Sequence, residues 1–178
     1  MLRLFAAIAP PPDLRERLEF LQRGLPGRRV PPENLHLTLA FFGEIAEPVA
    51  VDLHAALSAI DAPRFWVTLD GAGAFGGAKP KLIYAAVRPE PALDHLRAKV
   101  LQAARGAGLD IPAERYTPHV TLSRIAPGTV SSAEAAKALA ARAAFLAGPV
   151  AVEAFHLYRS DLGRAGPSYA ELATYALR

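Results

Sequence analysis

The tetrapeptide His36-Leu37-Thr38-Leu39 returns in the second half of the chain as His119-Val120-Thr121-Leu122. Each copy reads His-x-Thr-apolar within an apolar run, which is typical of a half-buried β-strand whose side chains alternate between two faces. The imidazole and the hydroxyl of each copy then lie on one face, about 7 Å apart, and the apolar side chains lie on the other. If the two polar faces meet, they bring two imidazoles and two hydroxyls to one place.

A single His-x-Thr on a strand is usually incidental, but this chain carries the motif twice and has only five histidines among 178 residues. We therefore interpret His36 and His119 as candidate catalytic residues. Two imidazoles with an ordinary pKa of about 6.5 can act as base and acid in the same step. Thr38 and Thr121 are candidate phosphate-binding residues, because a hydroxyl can donate to the non-bridging oxygens of a phosphate. Hydrolysis of a cyclic phosphodiester fits this set and requires no metal and no cofactor.

Composition narrows the class of protein. A chain of 178 residues that is 52% hydrophobic suits one domain, or two small lobes that share a core. The absence of cysteine excludes disulfides, thiolate metal sites and a cysteine nucleophile. A net charge of +3 is a mild bias toward polyanions. The apolar first ten residues are too short to span a membrane and lack a signal-peptide cleavage pattern, so we expect a cytoplasmic protein with no membrane partner.

The rest of the chain alternates strand and helix patterns. Apolar alternation predicts strands at about 2–9, 35–42, 64–75, 81–88, 118–125, 151–159 and 169–177. Apolar residues at helical spacing predict helices at about 13–25, 48–60, 89–105 and 131–148. Asp13 is the expected N-cap of the first helix, and Ser131 with Glu134 forms a capping-box pattern at the start of the fourth.

The order strand, helix, His strand, helix, strand occurs over residues 2–75 and again over 81–159, followed by one more strand at 169–177. Such a repeat in layout indicates an internal duplication. We therefore predict one α+β domain over 1–178. It would be bilobal, with two antiparallel β-sheets related by a pseudo-twofold, helices on the outside and a central cleft toward which both polar faces turn.

The two motifs resemble those of the two-histidine (2H) phosphoesterase superfamily. Longer segments are similar to its RNA 2′,3′-cyclic phosphodiesterase branch, also called LigT-like or 2′-5′ RNA ligase: residues 3–8 (RLFAAI), 34–44 (NLHLTLAFFGE), 118–124 (PHVTLSR) and 157–162 (LYRSDL). The resemblance implies metal-independent hydrolysis of RNA 2′,3′-cyclic phosphate ends to 2′-phosphates, with 2′-5′ ligation as a reverse-type activity. It also implies an RNA or oligonucleotide partner, and nothing in the sequence predicts more than a monomer.

On the family pattern His36 corresponds to the proton donor, His119 to the acceptor of the proton from water, and Arg124 to a phosphate-binding arginine. Arg124 lies an odd number of residues from His119, so a bulge or a strand end at Ser123 is needed to bring it to the same face. Phe42 shares the parity of His36, so it is the candidate for stacking on a base, whereas Phe41 is expected in the core.

Other functions are also compatible with the sequence. A non-catalytic nucleotide- or RNA-binding module could use the same cleft, although binding alone does not require two titratable groups. A cyclic phosphodiesterase for small molecules also fits. A metal-dependent phosphohydrolase would need His-x-His or clustered acidic ligands, which are missing near both motifs. His54 and His95 are expected on solvated helix faces, and His156 in the core or at its rim.

Overall fold

The computed structural model describes residues 1–112, 115–163 and 166–178. Within them the chain forms four α-helices and nine β-strands. The helices are α1 (Pro12–Leu21), α2 (Glu47–Ser58), α3 (Pro91–Gly106) and α4 (Ser132–Ala140). The strands are β1 (Leu2–Ile8), β2 (Arg28–Arg29), β3 (Leu37–Ile45), β4 (Phe65–Phe75), β5 (Leu82–Val87), β6 (His119–Arg124), β7 (Leu146–Val152), β8 (Ala154–Gly163) and β9 (Gly166–Ala176). A short 3-10 helix covers Pro32–Asn34.

The strands form an antiparallel sheet in the order β7-β4-β5-β6-β3-β1-β8-β9, and β2 lies beside β6. Two four-stranded halves, β7-β4-β5-β6 and β3-β1-β8-β9, each end in one His-x-Thr strand. They join where β3 meets β6, at the pair Leu37–Val120. The predicted α+β class is confirmed, and the two predicted sheets are the two halves of this one sheet.

The halves of the sheet do not coincide with the sequence repeats 2–75 and 81–159. β4, the last strand of the first repeat, pairs with β5 and β7, while β8, the last strand of the second repeat, pairs with β1 and β9. The reason is local: a short loop joins β4 to β5, and strands joined by a short loop pair antiparallel with each other. Each half of the sheet is therefore built from both repeats.

Helix starts follow the sequence with one exception. The capping box is confirmed: the Glu134 backbone N–H donates to Ser131 Oγ (3.2 Å), and the Ser131 N–H donates to the Glu134 carboxylate (2.8 Å). Asp13 is not the N-cap of α1, because the helix already begins at Pro12. Proline fits the first helical position, where no N–H is needed, and Asp13 then lies in the first turn beside the positive end of the helix dipole.

The region after α4 differs most from the prediction. The expected helix over 131–148 ends at Ala140, and Leu146–Val152 forms β7 on the free edge of β4. The expected strand at 151–159 is in fact divided between two strands, β7 and β8, that belong to opposite halves of the sheet. The alanine-rich sequence favours a helix locally, but pairing with the edge of β4 overrides that preference.

The apolar side of the sheet is covered by helices, which leaves the His/Thr side open. The buried core includes Leu37, Leu39, Val120 and Leu122, the apolar residues of both motifs, together with leucines of α1, α2 and α3. None of the helices in the described residues is long and apolar enough to cross a membrane.

Candidate active site

The two motifs lie side by side where the halves of the sheet join. Leu37 pairs with Val120, so the antiparallel register puts His36 opposite Thr121 and Thr38 opposite His119. Residues directly opposite each other on neighbouring strands have Cβ atoms about 5 Å apart. The structure therefore brings both imidazoles and both hydroxyls to one face. Within the described chain neither hydroxyl is engaged in a hydrogen bond, so both are available to a ligand.

Both histidines are held by the same kind of local hydrogen bond, from the ring to a backbone carbonyl two residues earlier. His36 Nδ1 donates to the carbonyl of Asn34 (2.7 Å), and His119 Nδ1 donates to the carbonyl of Thr117 (2.7 Å). A carbonyl oxygen can only accept, so Nδ1 carries the hydrogen in each neutral ring. The lone pair is then on Nε2 of each imidazole, which makes Nε2 the atom that exchanges protons with a ligand.

Aromatic rings fix the orientation of each imidazole. The ring centroid of His36 lies 4.9 Å from that of Phe5 and 5.3 Å from that of Tyr169. His119 lies edge-on to Phe75 at 5.0 Å and 5.2 Å from Tyr84. Packing of this kind removes rotamer freedom before a substrate arrives.

Burial makes both imidazoles weaker bases. Desolvation lowers the pKa of His36 to about 4, with smaller lowering contributions from the charges of Arg124 and His119. Desolvation also lowers the pKa of His119, and Arg124 again adds to the effect. The carbonyls of Asn34 and Thr117 act in the opposite direction. In the free protein at neutral pH both rings are therefore neutral, with Nε2 open as an acceptor.

The bulge that Arg124 needs is present in β6. The pairing of β5 with β6 steps from Ile83–Ser123 to Tyr84–Thr121, so Leu122 is the extra residue. Leu122 and Ser123 are both buried, and Arg124 returns to the face of His119.

A matching bulge in β3 overturns the prediction for Phe42. The pairing of β1 with β3 steps from Ala6–Ala40 to Ala7–Thr38, and the two residues after Thr38 are both buried. Phe42 is consequently in the core, and Phe41 is 47% exposed on the face of His36. Phe41 and Arg124 thus occupy corresponding places, five residues after the histidine of each motif. The Arg3 guanidinium lies over the Phe41 ring, 4.8 Å from its centroid.

Two cavities meet at His36, Arg124 and Tyr169. The first, of about 530 Å³ of empty volume, is also lined by Thr121 and the cationic pair Arg28 and Arg29. The second, of about 790 Å³, is lined instead by Thr38, Phe5, Phe41, Leu162 and Arg3. His119 lines neither of these two cavities. It is linked to them through Thr38, which it faces, and through the charge of Arg124.

Sequence reasoning missed two residues that tie the motifs together. The Tyr116 hydroxyl donates to the Thr38 carbonyl (2.8 Å), and Arg97 Nε donates to the Leu39 carbonyl (3.2 Å). The Arg97 guanidinium also stacks over the Tyr116 ring at 4.2 Å. The segment before His119 is therefore attached to the bulge that follows His36. No motif marks either residue, and a lone tyrosine near a histidine is a weak signal.

The remaining histidines lie away from the site. His95 is exposed on α3, as predicted, and His54 is exposed on α2 with its Nδ1 2.9 Å from the Tyr175 hydroxyl. His156 is a rim histidine with Nδ1 3.0 Å from Thr174 Oγ1 and 3.4 Å from the Glu171 carboxylate. Over the part of the chain that the structure describes, no three His, Asp or Glu side chains are grouped as metal ligands would be.

Comparison with known proteins agrees with this geometry. The family model of the 2′-5′ RNA ligase superfamily matches residues 10–164. The chain belongs to the 2′-5′ RNA ligase superfamily. It is 33% identical to the RNA 2′,3′-cyclic phosphodiesterase of Aeropyrum pernix, over 89% of this chain and 90% of that one. It is 31% identical to the RNA 2′,3′-cyclic phosphodiesterase of Escherichia coli K12, over 98% of this chain and 96% of that one.

Solved structures of superfamily members have the same fold. Apo LigT of E. coli superposes with a TM-score of 0.79 at 30% identity, covering 99% of this chain and 97% of LigT. LigT in complex with 3′-AMP superposes with a TM-score of 0.77 at 29% identity over the same shares.

Proposed function

We propose that this protein hydrolyses the 2′,3′-cyclic phosphate ends of RNA to 2′-phosphates, with His36 and His119 as its general acid and base. One observation carries the proposal: a single strand pair presents two Nε2 atoms and two free hydroxyls on one open face. The names of the A. pernix and E. coli relatives supply the substrate class.

The proposed reaction conserves protons. Nε2 of one histidine takes a proton from water as the oxygen attacks phosphorus. The bond from phosphorus to O3′ breaks, and the other histidine gives a proton to O3′. The family pattern gives the donor role to His36 and the acceptor role to His119. Because burial lowers the pKa of His36 in the free protein, the bound phosphate anion must raise that pKa for His36 to carry the proton.

Negative charge grows on the non-bridging oxygens as the five-coordinate phosphorus forms. Thr38 and Thr121 can each donate a hydroxyl hydrogen bond to these oxygens, and Arg124 can donate a charge-assisted one. Phe5 and Tyr169 pack against the His36 ring, and such an apolar surrounding strengthens hydrogen bonds to the phosphate.

End-group analysis of an RNA oligonucleotide with a 2′,3′-cyclic phosphate tests the proposal directly. We expect a 2′-phosphate as product, with no loss of rate when EDTA is present. A 3′-phosphate would mean that the other bond breaks, and full loss with EDTA would reject the metal-free mechanism. The absence of any product, together with tight binding, would favour the non-catalytic binding module. Supplying a 5′-hydroxyl oligonucleotide in excess tests for 2′-5′ ligation.

The lowered pKa values predict where the rate is highest. At a pH below both lowered pKa values the two imidazoles are protonated and no base remains, and at a pH above both values the two are neutral and no acid remains. We therefore expect kcat/KM to follow a bell-shaped profile with its maximum below about pH 6.5, the ordinary histidine pKa. Because an anionic substrate raises both pKa values, the kcat profile is expected at higher pH than the kcat/KM profile. A flat kcat/KM profile across this range would contradict paired acid–base catalysis.

Phe41 is proposed to stack on the terminal base. Replacement by alanine is expected to raise KM for adenosine 2′,3′-cyclic phosphate by about fivefold or more with little change in kcat, because stacking on a base contributes about 1–3 kcal/mol. Turnover of glycerol 1,2-cyclic phosphate, which has no base, should not change. Phe20→Ala is a matched control, since Phe20 is another exposed phenylalanine with an arginine over its ring. Equal losses on both substrates would contradict the assignment.

We also propose that the protein works as a monomer in the cytoplasm. Both histidines, both threonines and Arg124 come from one chain, so a second copy is not needed to complete the site. Sedimentation of the active protein as a single 18.9 kDa species would agree with this.

A further inference from the structure

A two-residue strand places two more arginines beside the site. β2 pairs with β6 in antiparallel register, Arg28 with Arg124 and Arg29 with Ser123. Both β2 arginines are exposed, and they line the first cavity together with His36 and Thr121. Neither arginine could be predicted as part of the site, because two consecutive arginines carry no strand pattern.

Buried polar side chains hold this strand in place. The Gln22 side-chain amide donates to the carbonyls of Val30 and Leu122, both at 2.8 Å, and Ser123 Oγ donates to the Pro26 carbonyl at 2.6 Å. Gln22 and Ser123 are only 3% and 0% exposed. A buried polar group is costly unless it is hydrogen-bonded, and here the hydrogen bonds of both groups fix the segment that carries the arginines.

Close packing adds to this rigidity. A Cβ at Gly27 would lie 2.6 Å from the Arg124 carbonyl, so only glycine lets the segment approach β6. Arg28 packs against Gly166, where a Cβ would overlap its guanidinium. The arginines of β2 are thus presented on a preorganised support rather than on a loose loop.

The charge of this cavity is unbalanced. Among the described residues that line it, none is acidic. Over 1–112, 115–163 and 166–178, no carboxylate forms an ion pair with Arg29 or Arg124. The charges of Arg29 and Arg124 are therefore not neutralised by a carboxylate of the described chain, so the cavity favours a second anion beside the one that Arg124 is proposed to contact.

We propose that Arg28 and Arg29 form a second phosphate subsite, which binds the phosphate on the 5′ side of the terminal nucleoside. The inference rests on the proposed function, which puts the cyclic phosphate between the two motifs. In a ribose the base is attached at C1′, beside the O2′ end of the cyclic phosphate, and the CH2–O5′ arm is attached at C4′, beside its O3′ end, so the base and the 5′ arm diverge from the cyclic phosphate. A base on Phe41 in the second cavity therefore directs the 5′ phosphate into the first, toward β2.

The subsite makes the substrate an RNA end rather than a mononucleoside. A nucleoside 2′,3′-cyclic phosphate with a free 5′-hydroxyl has no second phosphate to place at β2, whereas an oligonucleotide end supplies one. The sequence was also compatible with a cyclic phosphodiesterase for small molecules. Such an enzyme would not need a second phosphate subsite.

The test compares two nucleotides that differ by one group: adenosine 2′,3′-cyclic phosphate with a 5′-hydroxyl and the same molecule with a 5′-phosphate. Both kcat/KM and the equilibrium Kd are measured for each. We expect wild type to prefer the 5′-phosphorylated nucleotide by about tenfold or more, since charge-assisted hydrogen bonds are the strong ones. In Arg29→Gln and Arg28→Gln that ratio should fall toward one, and Arg29→Lys should retain part of it.

Arg178→Gln is the matched control, because Arg178 is an exposed arginine beyond the end of β9, roughly 30 Å of extended chain from Tyr169. It removes the same charge and should keep the wild-type ratio. A wild-type ratio near one, or a ratio that survives both glutamine variants, overturns the subsite while leaving hydrolysis intact. If neither nucleotide is hydrolysed and the cyclic-phosphate RNA oligonucleotide is not hydrolysed either, the proposed function fails, and the ratio of the two Kd values still decides the subsite.

Discussion

Replacing either His36 or His119 with alanine is expected to lower kcat by about 10²–10⁴-fold on 2′,3′-cyclic-phosphate RNA, the usual contribution of one general acid or base. Each ring contributes an Nε2 whose lone pair is set by the Nδ1 hydrogen bond to a backbone carbonyl. The imidazole of His156 lies on the same face two strands away from Thr38, but its Nδ1 lies beside Thr174 and Glu171 and it lines neither of the two cavities. Steady-state kinetics on purified variants, with thermal unfolding to verify the fold, measure the effect.

His95→Ala is the matched control, since His95 is an exposed histidine of α3. It should keep the wild-type rate. Retained turnover in His36→Ala or in His119→Ala, at an unchanged melting temperature, would reject the paired mechanism.

The same variants separate the acid from the base. A substrate in which sulfur replaces the bridging O3′ has a thiolate leaving group, which needs little protonation because a thiol pKa is only about 8.5. If His36 is the acid, His36→Ala should recover most of its lost rate on the 3′-thio substrate and His119→Ala should not. If the rate of His119→Ala recovers instead, His119 is the acid and His36 the base. That result would agree with His119 being the less buried ring.

The parts of this structure that depend on local pattern could be predicted from the sequence. Both His-x-Thr strands, the four helices and the capping box at Ser131 follow from apolar periodicity and end signals. The resemblance to a known family added the roles of the histidines. Periodicity placed the imidazole and the hydroxyl of each motif on one face of its own strand, because each motif is short enough for strand alternation to hold across it.

What could not be predicted depends on partners distant in sequence. The bulges in β3 and β6 are set by the register of their neighbours β1 and β5, so counting parity along one strand put Phe42 rather than Phe41 on the open face. β7 exists because β4 has a free edge, and β2 because Gln22 and Ser123 hold it to β6. A pattern read along the chain contains none of these pairings.

Replacing Arg124 with glutamine is expected to lower kcat by about 10²–10³-fold, the typical loss when one preorganised donor to a developing oxyanion is removed. The bulge at Leu122 brings this guanidinium to the face of both histidines, where it lines both cavities. Arg88→Gln serves as control, since Arg88 is an exposed arginine whose Nε–H donates to Asp70 in an ion pair.

The pH profile distinguishes a phosphate contact from a structural role for this residue. Arg124 lowers the pKa of both His36 and His119, so its removal should raise both pKa values and move the kcat/KM maximum to higher pH. Arg124→Lys keeps a positive charge but loses the planar fork, so it should keep more of the wild-type pH optimum than of the wild-type kcat. A variant that loses rate with no movement of its pH optimum would show that the guanidinium acts away from the imidazoles. The bulge at Leu122 would then explain the geometry of β6 without giving Arg124 a role in catalysis.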